Sequence, residues 1–333
     1  MATDLSADRQ AFEALEDDLA EIAECLEDWL RDATRALGIA AQVDGRVKGV
    51  GSFLRKILRT EASGKGYANP IEDMSDKVGV RADVLTTRDR EKLCAHVEAE
   101  GSKFKILKRD DKLDNLKSDT LGYQGVHFDI EPLWPPADRR RHLHAEIQVR
   151  TASQSAWAQI SHDLAYKVPE DLIPKSEKRR LMRLTALVEL FDEEVDRTRT
   201  NLLNNPRYPI GRILEALRVA LLQVAGYQAD ADPELTQLVV GSLLRHYTPE
   251  QLSGLEELIP AFISRQEPKL RATYGEYHDS SRHLLLFQPE AILVFMQLES
   301  APFALKEAWE SMLPVEELRS LANVWGVALP DHA

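Results

Sequence analysis

The segment 143–167 joins a strand pattern to a helix start, and this junction constrains the fold more than any other part of the chain. Apolar and polar residues alternate along its first half, so one face of the predicted strand is polar and carries His144, Glu146, Gln148 and Arg150. Thr151 and Gln154 have the spacing of a capping box, which predicts a helix that continues to about Tyr166. A carboxylate and a guanidinium on one rigid strand are suited to hold a metal ion and a phosphate in a fixed relation.

Three further segments have the composition and alternation of strands, namely Val78–Leu85, Lys103–Lys108 and Tyr123–Leu133. A helix is predicted at about 88–100, between the first two. Strands interleaved with helices indicate an α+β or mixed α/β sheet layer. A long polar loop, 109–122, separates the second and third segments, and loops of this kind often carry function.

The remaining segments have helical patterns. Apolar residues at three- and four-residue spacing predict amphipathic helices over 7–37 and about 46–60, and Gly38 ends the first. A long helix over 174–203 is expected to pack its apolar residues inward, namely Leu181, Leu184, Leu187, Leu190 and Phe191. Pro206 and Pro209 bracket a polar break, which predicts one domain at 1–205 and a second at 206–333. The second domain is predicted to be almost wholly helical, with helix starts at Asp232-Pro233 and Thr248-Pro249.

The distribution of charge separates the chain into regions. The net charge of the 333 residues is −13, which disfavours nonspecific binding to nucleic acid. Residues 44–70 are the exception, because Asp44 and Glu61 stand there against six bases: Arg46, Lys48, Arg55, Lys56, Arg59 and Lys65. This basic segment is a candidate anion site of a size suited to nucleotide phosphates.

Two classes of protein are disfavoured by composition. No apolar run approaches the roughly 18 residues that a membrane helix needs, and the acidic, polar start does not have the pattern of a signal sequence. The sequence therefore predicts a cytoplasmic protein without a membrane partner. Cys25 and Cys94 form no C-x-x-C pair, so neither a zinc site nor a disulfide framework is expected.

Five motifs in order resemble the synthetase domain of the RelA/SpoT family of alarmone synthetases. They are G-R-x-K (Gly45 to Lys48), D-K-V-G-V-R (Asp76 to Arg81), G-Y-Q-G-V-H (Gly122 to His127), E-x-Q-x-R-T (Glu146 to Thr151) and W-A-x-x-x-H-x-x-x-Y-K (Trp157 to Lys167). The resemblance covers about 40–200. It implies an α+β, nucleotidyltransferase-like synthetase domain with a mixed sheet of about five strands flanked by helices, followed by an all-α C-terminal domain.

The resemblance also implies a reaction and its cofactor. Members of the family transfer the β,γ-pyrophosphate of ATP to the 3′-hydroxyl of GDP or GTP and so make (p)ppGpp, which is a GTP pyrophosphokinase activity. Asp76 would bind Mg²⁺, and Glu146 would share the metal or orient and deprotonate the acceptor hydroxyl. The residues expected to bind ATP are Arg46, Lys48, Ser52, Lys56 and Arg81.

The acceptor site is where the chain departs from the family. Tyr123 would stack on guanine and His127 would lie near the ribose or phosphates, and the other expected acceptor residues are Lys112, Lys117, Gln148, Arg150 and His162. The loop before Tyr123 lacks the Pro-Lys and Asn of the family pattern, and Gly125 replaces the usual Ser. Two alternatives therefore stay open. One is the toxic branch of the family, which pyrophosphorylates the 3′ end of tRNA; the other is a nucleotide-sensing binding protein with a weak catalytic site.

The C-terminal domain is expected to serve oligomerisation or regulation. Small members of the family often form homo-oligomers, so a homo-oligomer is expected here. Tyr274 and Tyr277 resemble the tyrosine pair by which some fused toxin-antitoxin members cover the ATP pocket. As a hypothesis, this resemblance predicts that truncation near Pro206 raises activity.

Overall fold

A computed structural model describes residues 5–111, 125–133, 143–164, 172–205, 210–226, 231–277 and 283–329. Lys112, Lys117 and Tyr123, predicted to bind the acceptor, lie outside these ranges, as do Tyr166 and Lys167 of the last motif. The chain divides into two compact units. The sheet unit comprises Met1–Thr34 with Ala41–Asp196, and the helical unit comprises Arg35–Ala40 with Arg197–Ala333. The predicted boundary at 205/206 stays a prediction.

The sheet unit contains one five-stranded sheet. Its strands are β1 (Ala41–Val47), β2 (Val78–Val84), β3 (Phe104–Asp111), β4 (Val126–Pro132) and β5 (Ala145–Thr151), in the spatial order β1-β2-β5-β4-β3. Strands β2 and β5 are parallel, and the other neighbours are antiparallel. The predicted mixed sheet of about five strands is thus confirmed.

Seven helices of the described chain flank this sheet or follow it. They are α1 (Ser6–Glu13), α2 (Glu16–Ala36), α3 (Val50–Ala62), α4 (Pro70–Asp73), α5 (Thr87–Ala99), α6 (Ala152–Leu164) and α7 (Lys175–Leu203). The single helix predicted over 7–37 is interrupted after Glu13, and Gly38, with a φ of 65°, follows α2. Phe12, at the end of α1, is fully buried with its ring 4.6 Å from that of Phe53 in α3.

The helix predicted over 46–60 begins too early. Arg46 lies on β1, which pairs with β2 so that Asp44 is opposite Arg81 and Arg46 is opposite Gly79. Gly49 has an extended backbone, and α3 begins only at Val50. The G-R-x-K motif is therefore a strand end and a loop, and Lys48 precedes the helix that carries Lys56. The apolar spacing of α3 continues by chance into β1, which is short and alternating. The pattern at this junction was therefore ambiguous between helix and strand.

The two faces of the sheet differ in polarity. In β2 and β5 the alternate residues are apolar and almost all of them are completely buried, among them Val78, Val80, Ile147 and Val149. The residues between them point to the opposite face, which carries the polar residues that the alternation predicted. Arg81, His127, Glu146 and Gln148, which the alternation predicted on one face, are thereby placed on one face of one sheet.

Helix α7 departs from the prediction. Leu184, Leu187, Leu190 and Phe191 were expected to pack inward, but each is exposed, with between 41% and 60% of its surface accessible. The buried residues of α7 are Thr185 and Asp192, both polar. The amphipathic pattern correctly predicted that these residues form an apolar face of the helix, but the prediction that this face is buried was wrong.

The helical unit contains α8 (Gly211–Ala225), α9 (Pro233–Leu243), α10 (Pro249–Glu276), α11 (Glu290–Ser300), α12 (Pro302–Glu310) and α13 (Val315–Trp325). The predicted helix starts are confirmed: Asp232 accepts from two backbone N–H groups of α9, and Thr248 forms a capping box with Gln251. No described helix has both the length and the apolar character needed to cross a membrane.

The core of this unit is aromatic and aliphatic. Trp325 is fully buried and stacks on Phe295, with 4.5 Å between ring centroids. Tyr274 is also buried, and its hydroxyl donates to the carbonyl of Leu286. Tyr274 is therefore a core residue of the helical unit, which does not favour the pocket-covering role suggested by the resemblance.

Candidate active site

The polar face of the sheet brings several predicted residues into register. Glu146 pairs with Gly79 of β2 and Asp129 of β4, and two positions later Gln148 pairs with Arg81 and His127. Side chains at paired positions on one face lie close together. Glu146, Gln148, Arg81 and His127 are therefore neighbours although they come from three separate motifs.

Glu146 is the centre of a chain of hydrogen bonds. Its Oε1 lies 2.6 Å from Nδ1 of His127, and its Oε2 accepts from Nε2 of Gln148 at 2.5 Å. The guanidinium of Arg150 in turn donates to the amide oxygen of Gln148. Gln148 thus connects the carboxylate of Glu146 to the guanidinium of Arg150. Arg150 thus fixes the orientation of the Gln148 amide, and this amide fixes the orientation of the Glu146 carboxylate.

These partners determine the ionisation of Glu146. Burial alone would raise the pKa of this carboxyl, but the hydrogen bonds from His127 and Gln148 outweigh burial and keep the pKa below its ordinary value. Glu146 is therefore a carboxylate at neutral pH. It is held in one orientation and can accept a hydrogen bond from a ligand hydroxyl.

Asp76 is the centre of a second cluster. Lys48 Nζ lies 2.9 Å from one carboxylate oxygen, and Lys56 Nζ lies 2.9 Å from the other. Burial acts to raise the pKa of Asp76, but the two ammonium groups lower it more. All three side chains are partly exposed, so the cluster is accessible from solvent.

Three separate segments build this cluster. Lys48 follows β1, Lys56 lies on α3, and Asp76 lies in a 3₁₀ turn, Ser75–Lys77, directly before β2. The backbone N–H of Lys48 donates to the carbonyl of Lys77 at 2.8 Å, which ties the loop after β1 to the start of β2. The turn therefore positions both the carboxylate and one of its lysines.

Lys77 is a site residue that sequence reasoning missed. It is fully buried, its ammonium donates to the carbonyl of Met74, and burial lowers its pKa to about 8. The alternation of β2 gave no signal of its burial, because position 77 is in phase with Gly79 and Arg81 and not with the buried Val78 and Val80. A cation at that position has to be accommodated inside the protein.

Arg81 is held between two carboxylates. Its Nη2 lies 3.3 Å from Asp44 and its Nε lies 3.1 Å from Asp83, and Asp83 also accepts from the hydroxyl of Ser155 at 2.8 Å. The side chain remains 38% exposed. The guanidinium is thus fixed on the polar face, where a ligand can reach it.

The remaining predicted residues differ in how far they are exposed to solvent. Arg46 and Ser52 are exposed, and the hydroxyl of Ser52 accepts from Arg55 at 2.9 Å. His162 is exposed on α6, whereas Arg150 is buried. The structure thus brings together Lys48, Lys56 and Asp76 in one cluster and His127, Glu146, Gln148 and Arg150 in another.

The two clusters offer oxygen ligands for a divalent cation. The described residues contain no group of three or more His, Cys, Asp or Glu side chains arranged as a metal site. Asp76 and Glu146 are nevertheless close enough for the charge of Asp76 to act on the pKa of Glu146. Mg²⁺ typically takes one or two carboxylates and completes its shell with water and substrate phosphates. This pair of carboxylates fits that mode of binding.

Comparison with known proteins gives consistent results. A family profile described as "Region found in RelA / SpoT proteins" matches residues 45–171. The GTP pyrophosphokinase YjbM of Bacillus subtilis (strain 168) is 30% identical over 161 residues, which cover 47% of this chain and 71% of that protein. The GTP pyrophosphokinase YwaC of the same organism is 28% identical over 152 residues, covering 45% and 69%.

Both clusters lie within the matched region, 45–171. The chain belongs to the RelA/SpoT family. Among solved structures, small alarmone synthetase 1 from Bacillus subtilis is 25% identical with a TM-score of 0.48, covering 58% of this chain and 97% of that one.

Proposed function

We propose that this protein is a pyrophosphokinase that transfers the β,γ-pyrophosphate of ATP to the 3′-hydroxyl of GDP or GTP. Two relatives, YjbM and YwaC, carry the name GTP pyrophosphokinase. The observation that carries the proposal is the placement of two ionised carboxylates, one held by two lysines and the other held by His127 and Gln148, beside the same sheet. Phosphoryl-group transfer depends mainly on such positioning and charge stabilisation.

The lysine cluster suits the donor. Lys48 and Lys56 neutralise Asp76 in this structure, and they are positioned to exchange it for the phosphates of ATP. Arg81 supplies a planar cation for adenine or phosphate, and Arg46 and Ser52 are the further residues expected to bind ATP. Mg²⁺, held by Asp76 and Glu146 together with phosphate oxygens, would neutralise charge that develops on the transferred group.

The Glu146 cluster suits the acceptor. The 3′-oxygen forms a bond to the β-phosphorus of ATP, the bond from that phosphorus to the α,β-bridging oxygen breaks, and AMP leaves with the bridging oxygen. Glu146 accepts the proton of the hydroxyl as the new bond forms. The pKa of Glu146 lies below its ordinary value because the hydrogen bonds from His127 and Gln148 outweigh burial, so Glu146 is ionised and can orient the hydroxyl. His127, Gln148 and Arg150 maintain that orientation.

A second acceptor is favoured by one specific observation. The loop that precedes Tyr123 in the sequence, 112–122, lacks the Pro-Lys and Asn that the family pattern has there. A changed acceptor loop with an intact donor half is the expectation for a family member that modifies the 3′ end of tRNA. A binding protein with a weak site is the third reading, and the retention of both charge clusters counts against it.

The test offers the purified full chain ATP radiolabelled at the γ-phosphate, with Mg²⁺ and GDP, GTP, ATP or deacylated tRNA in separate reactions. We expect label on GDP or GTP, and a loss of about 10²- to 10⁴-fold in the rate for Glu146→Gln. Glu131→Gln is the matched control, because Glu131 lies on β4 and is another partly buried carboxylate on the polar face of the sheet. Label on tRNA alone would assign the protein to the toxic branch, and transfer to no acceptor would refute the enzyme proposal.

A further inference from the structure

The helical unit contains a cavity between α10 and α11. Its volume is about 550 Å³, and small-molecule sites typically have volumes of roughly 300–1,000 Å³. The described residues that line it recur at three- and four-residue spacing, so one face of α10 and one face of α11 form its two walls. From Gly254 to Arg265 the wall on α10 extends over about three helical turns, or about 16 Å. The cavity is therefore elongated.

A glycine accounts for part of this space. Gly254 lies inside α10 on the face that lines the cavity. Among the described residues, a Cβ atom at this position would have no neighbour within 4 Å beyond the backbone of its own helix. Glycine destabilises the interior of a helix relative to alanine, so helix propensity does not account for this residue. The volume that any other side chain would fill is left open.

The walls of the cavity are mainly apolar. Phe262 and Leu293 are buried, and Met296 is partly buried. Leu258 also lines the cavity and is 56% exposed, which marks its opening to solvent. Phenyl rings and methionine thioethers make favourable contacts with aromatic rings, and methionine adapts its shape to its neighbours. These walls therefore suit an aromatic molecule.

A buried amide lines this cavity and has one polar atom without a partner. Gln297, on α11, is only 8% exposed, and its Nε2 donates to the hydroxyl of Tyr247 at 3.3 Å. Its Oε1 is buried and has no hydrogen-bond partner among the described residues. A buried acceptor without a partner is destabilising, and a ligand with an N–H or O–H group would satisfy it.

The charges at one end of the cavity compensate each other. Nη2 of Arg265 lies 3.4 Å from Oε2 of Glu299. Oε1 of Glu299 also accepts from Nε2 of Gln266 at 2.9 Å and from Nε1 of Trp325 at 3.2 Å. Arg265 and Glu299 are the charged residues of the described lining, so positive charge is not in excess here as it is around Asp76. The cavity therefore favours an uncharged ligand over a nucleotide.

We propose that this cavity binds an elongated, uncharged aromatic molecule that carries an N–H or O–H donor, which makes the helical unit a small-molecule-binding domain. The apolar walls bury the rings, and Oε1 of Gln297 accepts from the donor and sets the orientation. The proposal does not rest on the transfer reaction, because all the described lining residues belong to the helical unit and none is a candidate active-site residue.

The experiment measures the fluorescence of N-phenyl-α-naphthylamine, an uncharged aromatic amine with a single N–H group, as the purified full chain is added. We expect saturable binding. The N-methyl derivative of this amine cannot donate a hydrogen bond, so we expect it to bind about tenfold more weakly. Gln297→Met removes the acceptor with little change in volume and is expected to make the two affinities equal.

Gly254→Phe is expected to fill the cavity and weaken binding of the amine at least about tenfold, without lowering the unfolding temperature, because phenylalanine has the higher helix propensity. Gly275→Phe is the matched control, since Gly275 also lies in α10 with open space at its Cβ position but is not among the lining residues. If Gly254→Phe lowers the unfolding temperature, the comparison of the two amines in Gln297→Met decides the test.

Three results would overturn the proposal. The first is the absence of saturable binding, or equal binding of the two amines by the wild type. The second is a folded Gly254→Phe that binds as tightly as Gly275→Phe, because the amine would then occupy another surface. The third is displacement of the amine by ATP or GDP, which would make the cavity a nucleotide site.

Discussion

Asp76 in the sheet unit is partly buried and Glu290 in the helical unit is fully buried, and their pKa values are displaced in opposite directions. Asp76 contacts two ammonium groups at 2.9 Å, and these hold its pKa below the ordinary value despite burial. Glu290, in the first turn of α11, is fully buried and accepts from the hydroxyl of Thr236 at 2.7 Å. Burial raises the pKa of Glu290 because its neutral donors, the Thr236 hydroxyl and a backbone N–H, do not compensate for the lost hydration.

Two further carboxylates show whether the hydrogen-bond donor or the unit of the chain determines the direction of the pKa shift. Asp192 belongs to the sheet unit, but its donors are the hydroxyls of Thr151 and Ser153, and burial raises its pKa. Glu215 belongs to the helical unit, and although burial opposes it, Arg218 and Arg199 lower its pKa. The charge of the donor therefore decides the direction. Among these four, Asp76 is the carboxylate that combines ionisation with a position at the candidate active site.

Replacing both lysines of the cluster would remove the ammonium groups that lower the pKa of Asp76. Burial would then raise this pKa, as it does for Glu290. For Lys48→Gln/Lys56→Gln we expect kcat/KM for ATP to fall about 10²-fold or more, because the donor phosphates lose two cations and Asp76 loses its charge compensation. Steady-state kinetics at varied ATP concentration measure this effect. Lys65→Gln, which changes an exposed lysine of the same basic segment, provides the control. Equal losses in control and double variant would show that the cluster is not specific for ATP.

Lys77 is a buried cation whose hydrogen-bond acceptor, the carbonyl of Met74, is neutral. Its ordinary pKa of 10.5 is lowered to about 8 by burial, so the folded protein releases a proton that the unfolded chain retains. Because the unfolded state then binds more protons, stability rises as the pH increases from about 8 to about 10.5, by about 3 kcal/mol. Urea unfolding across this range should show the rise in the wild type and lose most of it in Lys77→Met. A variant with the same pH profile as the wild type would contradict this account of Lys77.

The smallest effect is expected at Glu290. Its raised pKa means that the folded state binds a proton before the unfolded state does, so stability is greatest below the unfolded pKa and is lost as the pH rises through the folded pKa. Glu290→Gln should remove this dependence and raise the unfolding free energy at neutral pH by about 1 kcal/mol. The measurement is urea unfolding at acidic and neutral pH, with Glu310→Gln as the exposed control. Unchanged pH dependence in Glu290→Gln would refute the assignment.

Local signals in the sequence predicted local structure well. The capping box at Thr151 and Gln154 is confirmed by both reciprocal bonds, at 3.1 and 3.2 Å. The caps at Asp232 and Thr248 are confirmed in the same way. These contacts span two or three residues, so the pattern that predicts them contains all the atoms that form them.

Two elements were predicted wrongly because their outcome depends on distant partners. The end of β1 was assigned to a helix that starts at about residue 46, since seven alternating residues are a weak signal beside the strong period of α3. The apolar residues of α7 were assigned to a core. Periodicity shows which residues share a face of a helix but not what covers that face.

The sequence by itself determined the family motifs, the polar face of β5 with Glu146, Gln148 and Arg150, and the helical character of the C-terminal region. Only the tertiary structure decided that Lys48 and Lys56 converge on Asp76 and that Gln148 connects Arg150 to Glu146. It also decided that the apolar face of α7 points outward. The physical reason is that sheet register and burial set the distance between charges from different segments, and that distance fixes which carboxylates are ionised.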